Sequence, residues 1–228
     1  MSRQEKPAKA ASAQKVPAPK TAIKPAYHHG DLRRHMIDEA IAMMRADGIE
    51  SLSLRKLAER VGVSQTALYH HFSDKQALLC AIGEDGIVLF SSLLAKGLAG
   101  EMTVEARFER FVSLYVRFAL ENPELYELLF GRTTWKGEGE ASEAFRVKAR
   151  ASFRGYAEVL GSLQASGYFS PDIDALRLTQ IIWGTLHGLC RMYNDGLAFT
   201  PADVEEISQY ARWLLQRLRA GVLAGVQG

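Results

Sequence analysis

The sequence predicts an all-α protein: a three-helix N-terminal unit built on a helix-turn-helix, followed by a larger helical part. Three observations carry that prediction. From Tyr27 onward, apolar residues recur at helical spacing, with no sustained period-two alternation and no Asn-Gly or Asp-Gly hairpin between β-rich runs. Ala58, Gly62 and Leu68 stand at the offsets of two helices that cross closely through a glycine turn. Of the 21 Phe, Trp and Tyr residues, 18 lie beyond residue 75, so the remainder of the chain carries its own aromatic interior.

Taken in order, residues 1–26 hold four of the seven prolines, six basic residues and a single acidic one. With so few large apolar side chains, the segment is expected to be a disordered basic arm. Leu32, Met36, Ile37, Ala40, Ile41 and Met44 form one face of a first helix, with Asp31 near its start and Gly48 past its end. Ser53 is positioned to cap a second helix, in which Leu54, Leu57, Ala58 and Val61 share a face and which Gly62 stops. Ser64 caps a short third helix ending near Phe72. Ser73 caps a fourth, with Gln76 three residues on completing a capping box.

In the middle pair, a small residue at Ala58 permits close crossing, Gly62 supplies the left-handed turn, and Leu68 plugs the shared core. Val63, Leu68 and Phe72 are expected inside, leaving Gln65, Thr66, Tyr69 and His70 outward. That face suits a DNA major groove: Gln pairs bidentately with adenine, while Thr66 and Ala67 can meet a thymine methyl. Lys75 and the first-turn amides of the fourth helix point positive charge at a phosphate. The alternative is a plain αα-hairpin within a helical bundle.

One such module reads only a few base pairs, so a dimer surface is expected. Val204, Ile207, Ala211, Leu214 and Leu218 follow a strict a/d seam on the last long helix, bounded by Pro201 and Gly221. The preceding helix, roughly 174–193, is apolar on two faces. Leu176, Trp183 and His187 lie on one, and Leu178, Ile182, Thr185 and Leu189 on the other. A four-helix dimer bundle across a twofold axis is one reading, and burial inside a single chain is the other.

Phe108, Phe111, Tyr115 and Phe118 form an aromatic stripe at helical spacing, toward which Tyr126, Phe130, Trp135, Phe153, Tyr156, Trp183 and Tyr193 can converge. Such stripes build cores. Together with the Tyr hydroxyls, the Trp183 NH and His187, they also have the chemistry of an apolar ligand pocket with a few orienting polar groups. Residues 131–140, with glycines at 131, 137 and 139 around Trp135, read as a mobile loop.

Several function classes are excluded. Cys80 and Cys190 lie far apart without CxxC spacing, which argues against a disulfide framework or a cysteine-built zinc site and fits a reducing cytoplasm. Cys190 is expected to be inert packing. Five of the six histidines lie between residues 28 and 71, yet His28/His29 and His70/His71 are adjacent pairs rather than at i, i+4, so no metal is expected. The longest nearly apolar stretch, from Ile181 to Cys190, is about half a bilayer span, and no membrane segment is expected. The N-terminus lacks the apolar stretch of a secretory signal. No nucleophile motif, phosphate loop or dinucleotide fingerprint occurs, so neither catalysis nor a cofactor is expected. The net charge of +2 hides a basic arm, a neutral segment at 27–75 and an acidic remainder, which places any polyanion near the N-terminus.

The segments Tyr27-His28-His29-Gly30-Asp31-Leu32-Arg33, Ser53-Leu54-Arg55-Lys56-Leu57-Ala58 and Gly62 through Lys75 resemble the N-terminal domain of TetR-family transcriptional regulators over about 50 residues. The resemblance implies DNA contacts from Arg55, from Gln65, Thr66, Ala67, Tyr69, His70 and His71 on the recognition helix, and from Lys75. Leu54 departs from a common hydroxyl, and Thr66 from an occasional proline. Further on, Asn122-Pro123-Glu124-Leu125-Tyr126 through Gly131 and Trp183-Gly184-Thr185-Leu186-His187-Gly188 are similar to the WHG type of TetR C-terminal domain. That likeness sharpens the pocket to Phe111, Tyr115, Phe118, Tyr126, Phe130, Trp135, Tyr156, Trp183 and His187, with His187 alternatively a core residue.

The expected organisation is therefore a basic arm (1–26), a helix-turn-helix DNA-binding domain (27–75) and a helical effector-binding and dimerisation domain (76–228). The expected function is a cytoplasmic, homodimeric repressor, bound to an inverted-repeat operator in double-stranded DNA and released by a small, partly apolar ligand. A DNA-bound protein whose C-terminal part meets a protein partner is the alternative.

Overall fold

The computed structural model describes residues 29–135, 141–197 and 204–218; the arm at 1–26 lies outside them. The protein is all-α, without a strand among the described residues. Helix α1 spans His29–Asp47, and a 3-10 turn Ile49–Ser51 leads to α2 (Leu54–Val61) and α3 (Gln65–Tyr69). The long α4 (Lys75–Gly97) then crosses into the second half. There follow α5 (Val104–Glu121), α6 (Pro123–Phe130), α7 (Arg132–Trp135), α8 (Glu143–Ala165), α9 (Ala175–Asn194) and α10 (Val204–Leu215), the last running into a 3-10 turn, Gln216–Leu218.

The head folds as its residues dictate. Met36, Ile37, Ala40 and Met44 of α1 are buried against Leu57, Ala58, Leu68 and Phe72. Gly62 ends α2 at φ 75°, ψ 32°. Its amide donates to Glu59 O at 3.2 Å and the Val63 amide to Ala58 O at 3.0 Å, the paired bonds of a Schellman stop. Ser64 Oγ accepts from the Ala67 amide at 3.1 Å, as expected of the α3 cap. Ser53, by contrast, precedes α2 without making a side-chain cap bond.

The start of α4 differs from the expected capping box. Asp74, not Ser73, is the N-cap, its carboxylate accepting from the Ala77 amide at 2.7 Å, while Ser73 Oγ donates to Asp74. A carboxylate complements the helix dipole better than a hydroxyl does. Gln76 is thereby free to reach elsewhere: its Nε2 donates to Thr134 O on α7 at 3.1 Å.

Helix α4 is the spine of the protein, packing on α1, α5, α6, α7 and α8. Three glycines let neighbours in, the last being Gly97, where a Cβ would overlap Leu114. A Cβ at Gly83 would stand 2.7 Å from the Phe145 ring, and one at Gly86 2.8 Å from Leu129 Cδ1. By length and composition α4 also passes as a bilayer-spanning helix, so the longest apolar run is here and not at 181–190. Most of its large apolar side chains are buried among other helices, however, with Val88 and Leu89 the exposed exceptions. Mid-helix Glu84 pairs with Lys148 of α8 at 2.7 Å and Asp85 with Arg34 of α1 at 2.8 Å. This is a core helix, tied to both halves by its acids. Beyond it, α10 packs on α5 and α9, α8 packs on α9, and a single hydrophobic core runs through the head and the C-terminal part.

Candidate nucleic-acid interface and ligand cavity

Gln65, Thr66 and His70 are exposed on and just after α3, as is Tyr69, which is 53% exposed. Ala67 and His71 are half-buried. A large, exposed, hydrogen-bonding aromatic on a short helix has no packing reason to be there. Arg55, at the start of α2, is exposed and bonds Glu59 one turn on at 3.1 Å, a surface pair weak enough to exchange for a phosphate. Lys75 is half-buried, its ammonium donating to Glu50 O at 3.4 Å. Arg33 covers the Phe72 ring at 5.2 Å and so steadies the turn behind α3.

In the second half, a cavity of about 570 Å³ opens between α4, α8 and α9, closed at one end by α7. Of the expected pocket residues, Tyr115, Phe130, Trp135, Tyr156 and Trp183 line it. Phe111 and Phe118 do not: both are core, Phe118 tilted against Phe90 at 4.8 Å and Phe111 edge-on to Tyr156 at 4.9 Å. Tyr126 and His187 stand behind the wall. Tyr126 Oη lies 2.7 Å from His187 Nδ1 and 3.1 Å from Tyr115 Oη, and the Trp183 ring stacks on His187 at 5.2 Å. This buried polar chain orients Trp183 and Tyr115, which do face the cavity.

Burial keeps the chain neutral. It raises the Tyr115, Tyr126 and Tyr156 hydroxyls well above their usual range. It also lowers His187, as does the nearby Arg191 cation. Arg191 is clamped by Glu127 and Asp195. Cys190 is buried, with its thiol pushed up to about 12, the state of an inert packing group. Among the described residues no three His, Cys, Asp or Glu side chains cluster to hold a metal.

Two features of the cavity escaped the sequence reading. The expected loop at 131–140 begins as the short helix α7, while residues 136–140 lie outside the described ones. Trp135 is held on α7, its Nε1 donating to Leu129 O at 2.8 Å and its ring edge-on to Phe145. The cavity is also lined by Arg150 and Arg154. Their signal was in the chain: on α8 they interleave with Phe153 and Tyr156 at helical spacing.

The expected dimer seam is largely internal. Leu178, Ile182, Ile207 and Ala211 are all buried within the single chain, because α10 packs on α5 and α9. Thr185 and Leu189 are half-buried, and the side chains of Val204, Leu214 and Leu218 lie outside the described residues. A heptad pattern identifies an apolar face but not what covers it. What α9 leaves in solvent is a partly different stripe, Ile181, Gly184 and Met192, flanked by the half-buried Thr185 and Gly188, with open space above both glycines. Trp213 of α10 is exposed as well, under the Arg217 guanidinium.

Comparison with known proteins agrees with this architecture. Residues 36–82 match the model of bacterial regulatory proteins of the tetR family, and residues 108–218 match a tetracyclin repressor-like C-terminal domain. The chain is 28% identical over 192 residues to the nucleoid occlusion factor SlmA of Escherichia coli, covering 80% of this chain and 92% of that one. A solved protein of unknown function from Rhodococcus sp. RHA1 is 33% identical, with a TM-score of 0.73 over 86% of this chain and 100% of that one. A TetR/AcrR-family regulator from Thermobifida fusca shares the fold at 22% identity, with a TM-score of 0.63 over 82% and 97% of the two chains. With a helix-turn-helix matched in one half and a repressor-like helical domain in the other, the chain belongs to the TetR family of DNA-binding transcriptional regulators.

Proposed function

We propose that the protein is a ligand-released repressor that binds an inverted-repeat operator as a homodimer. Gln65, Thr66, Ala67, Tyr69, His70 and His71 read or line the major groove, and Arg55 and Lys75 hold phosphates. A small, partly apolar ligand in the α4–α8 cavity lowers operator affinity, and the protein works in the cytoplasm beside the chromosome.

The observation that carries this reading is the hydrogen bond from Gln76 to Thr134 O. Gln76 is the neighbour of Lys75 and Thr134 the neighbour of Trp135, so a ligand that shifts Trp135 pulls on the first turn of α4, next to the reading head. In a dimer, two recognition helices must meet half-sites about 34 Å apart, and tilting α4 changes their separation. A coupling of about 1–3 kcal/mol weakens operator binding about 5–150-fold, enough to switch a promoter. The dimer face on this reading is the exposed stripe of α9 through Gly184 and Gly188 together with Trp213. The WHG-like His187 acts by positioning Trp183. The basic arm adds salt-dependent affinity without sequence preference.

The test is selection of bound fragments from random duplexes with the full-length protein at near-physiological salt. An enriched inverted repeat is expected. Only salt-sensitive binding without an enriched sequence overturns the reading. The SlmA likeness favours a second one, in which the C-terminal half meets a protein partner. Operator binding insensitive to every small molecule that occupies the cavity would turn the choice toward it.

A further inference from the structure

If the protein is a ligand-released repressor, the chemical class of its ligand is written in the walls of the cavity. The cavity beneath Trp135 does not stand alone. A second hollow of about 480 Å³ continues along the α4–α8 seam, sharing Ile87, Ser152 and Tyr156 with the first and extending to Leu98 and Val159. On α8 the two together run from Lys148 to Val159, about 16 Å of helix. The shape is long rather than round, and apolar along most of its course.

Its charge is concentrated and of one sign. Arg150 and Arg154 line the first hollow and are themselves exposed, which puts them at its rim. Arg150 approaches Glu143 only at 3.7 Å, and Arg154 has no ionic partner among the described residues. Lys148, beside the second hollow, is already neutralised by Glu84 at 2.7 Å. Two guanidiniums are thus left at the mouth of an apolar channel.

We propose that the ligand is an amphipathic anion: an extended apolar chain lying in the α4–α8 channel, with its carboxylate or other oxyanion head on Arg150 and Arg154. This assignment rests on the ligand-released reading of the protein. The arginines supply what an apolar cavity cannot, a forked donor set matched to paired oxygens. Neutral apolar molecules of the same length fit the channel but forfeit the head-group contacts. Cationic amphiphiles are repelled at the rim.

The test uses full-length protein carrying Trp213→Phe, so that the fluorescence reports from Trp135 and Trp183, both of which line the cavity. It is titrated below micelle formation with decanoate, decanol and decyltrimethylammonium. Decanoate is expected to bind roughly tenfold more tightly than decanol, a difference of the size of a charge-assisted hydrogen bond, and the cation least tightly. Arg150→Ala with Arg154→Ala should abolish the preference for decanoate while leaving decanol affinity unchanged. Because both side chains are exposed, folding should be intact, and circular dichroism checks it. Arg154→Lys should retain part of the preference. Equal binding of decanoate and decanol, a preference that survives in the double alanine variant, or no binding by any probe overturns the proposal. The regulatory reading is judged separately: decanoate that binds through the arginines but leaves operator affinity unchanged sinks that reading and not the ligand class.

Discussion

Tyr126→Phe deletes one oxygen from a buried polar chain, and its cost can be worked out from the atoms that oxygen connects. Tyr126 Oη meets Tyr115 Oη at 3.1 Å and His187 Nδ1 at 2.7 Å. The ring remains, with its packing on Phe130 at 4.9 Å and on His187 at 5.5 Å, so little apolar burial is lost. The Tyr115 hydroxyl and His187 Nδ1 both lose the Tyr126 hydroxyl as their partner. One to two net hydrogen bonds at about 0.5–1.5 kcal/mol each, plus about 1–3 kcal/mol for a part-buried nitrogen left unsatisfied, give a destabilisation of about 1.5–6 kcal/mol. For a chain of this size that lowers the melting temperature by roughly 3–24 °C. The assay is urea unfolding at neutral pH and one fixed protomer concentration, since the stability of a dimer depends on concentration. Adding His187→Phe removes the orphaned nitrogen, so the double variant should lose less than the sum of the single ones, by about 1 kcal/mol or more. A Tyr126→Phe protein within about 0.5 kcal/mol of the parent, or strict additivity, refutes the reasoning.

Gly83→Ala should destabilise by about 1–3 kcal/mol, because its Cβ meets the Phe145 ring at 2.7 Å; Gly161→Ala on α8 meets nothing within 4 Å and should stabilise by about 0.5–1 kcal/mol. The same urea series decides both, and equal effects would show that the close approach is not real. Asp74→Ala should cost about 1 kcal/mol and Ser73→Ala much less; the reverse order restores Ser73 as the cap. His187 is held below its ordinary value of 6.5, first by burial and then by Arg191. The unfolded chain therefore binds the proton more readily, and this contribution to stability is complete above about 6.5 and declines as pH falls through the folded value. His187→Gln should flatten that decline, and an unchanged pH profile would rule His187 out as its source. On an enriched operator, Gln65→Ala should cost about 1–3 kcal/mol at specific base pairs, while Lys75→Ala should weaken all sequences alike and reduce the salt slope by about 1. Salt titrations of both variants against operator and scrambled DNA test this.

What the sequence made legible was local. Gly62, Ser64 and Leu68 act over a few residues, through a left-handed turn, a cap and a plug, and each is found doing so. The aromatic stripe on α5 was equally plain, because every third or fourth residue is a ring. The partner of a face was not legible. Ile207 and Ala211 show the same periodicity whether they meet another chain or, as here, α5 and α9 of their own. Phe111 and Phe118 illustrate the same limit inside the pocket region. They share a stripe with Tyr115, but the distinction between wall and core depends on where α4 and α8 lie, which no window along α5 contains. The α4 start was misread because Ser73 and Asp74 are both good caps, and the choice was settled by Gln76 having a better partner across the fold, at Thr134.

That last displacement explains why α4 can join a reading head to a cavity. A capping box would have folded Gln76 back onto its own helix end, and the turn after α3 would then be a closed local unit. With Asp74 as the cap, the Gln76 amide is released to hold α7, the short helix that also fixes Trp135 at the end of the cavity. On the opposite side of α4, Arg34 of α1 grips Asp85, and one residue earlier Glu84 grips Lys148 of α8. The cavity side is therefore attached to this helix twice and the head once, by groups less than three turns apart. A rigid helix held at both places transmits a tilt rather than absorbing it. Gln76→Ala should accordingly leave DNA affinity in the absence of ligand within a factor of about 3, yet reduce the ligand's effect on that affinity by about 0.5–2 kcal/mol, the size expected for a residue on a coupling route. A variant that binds ligand and operator normally and releases as the parent does would show that the signal travels through Arg34 and Asp85 instead, or through neither.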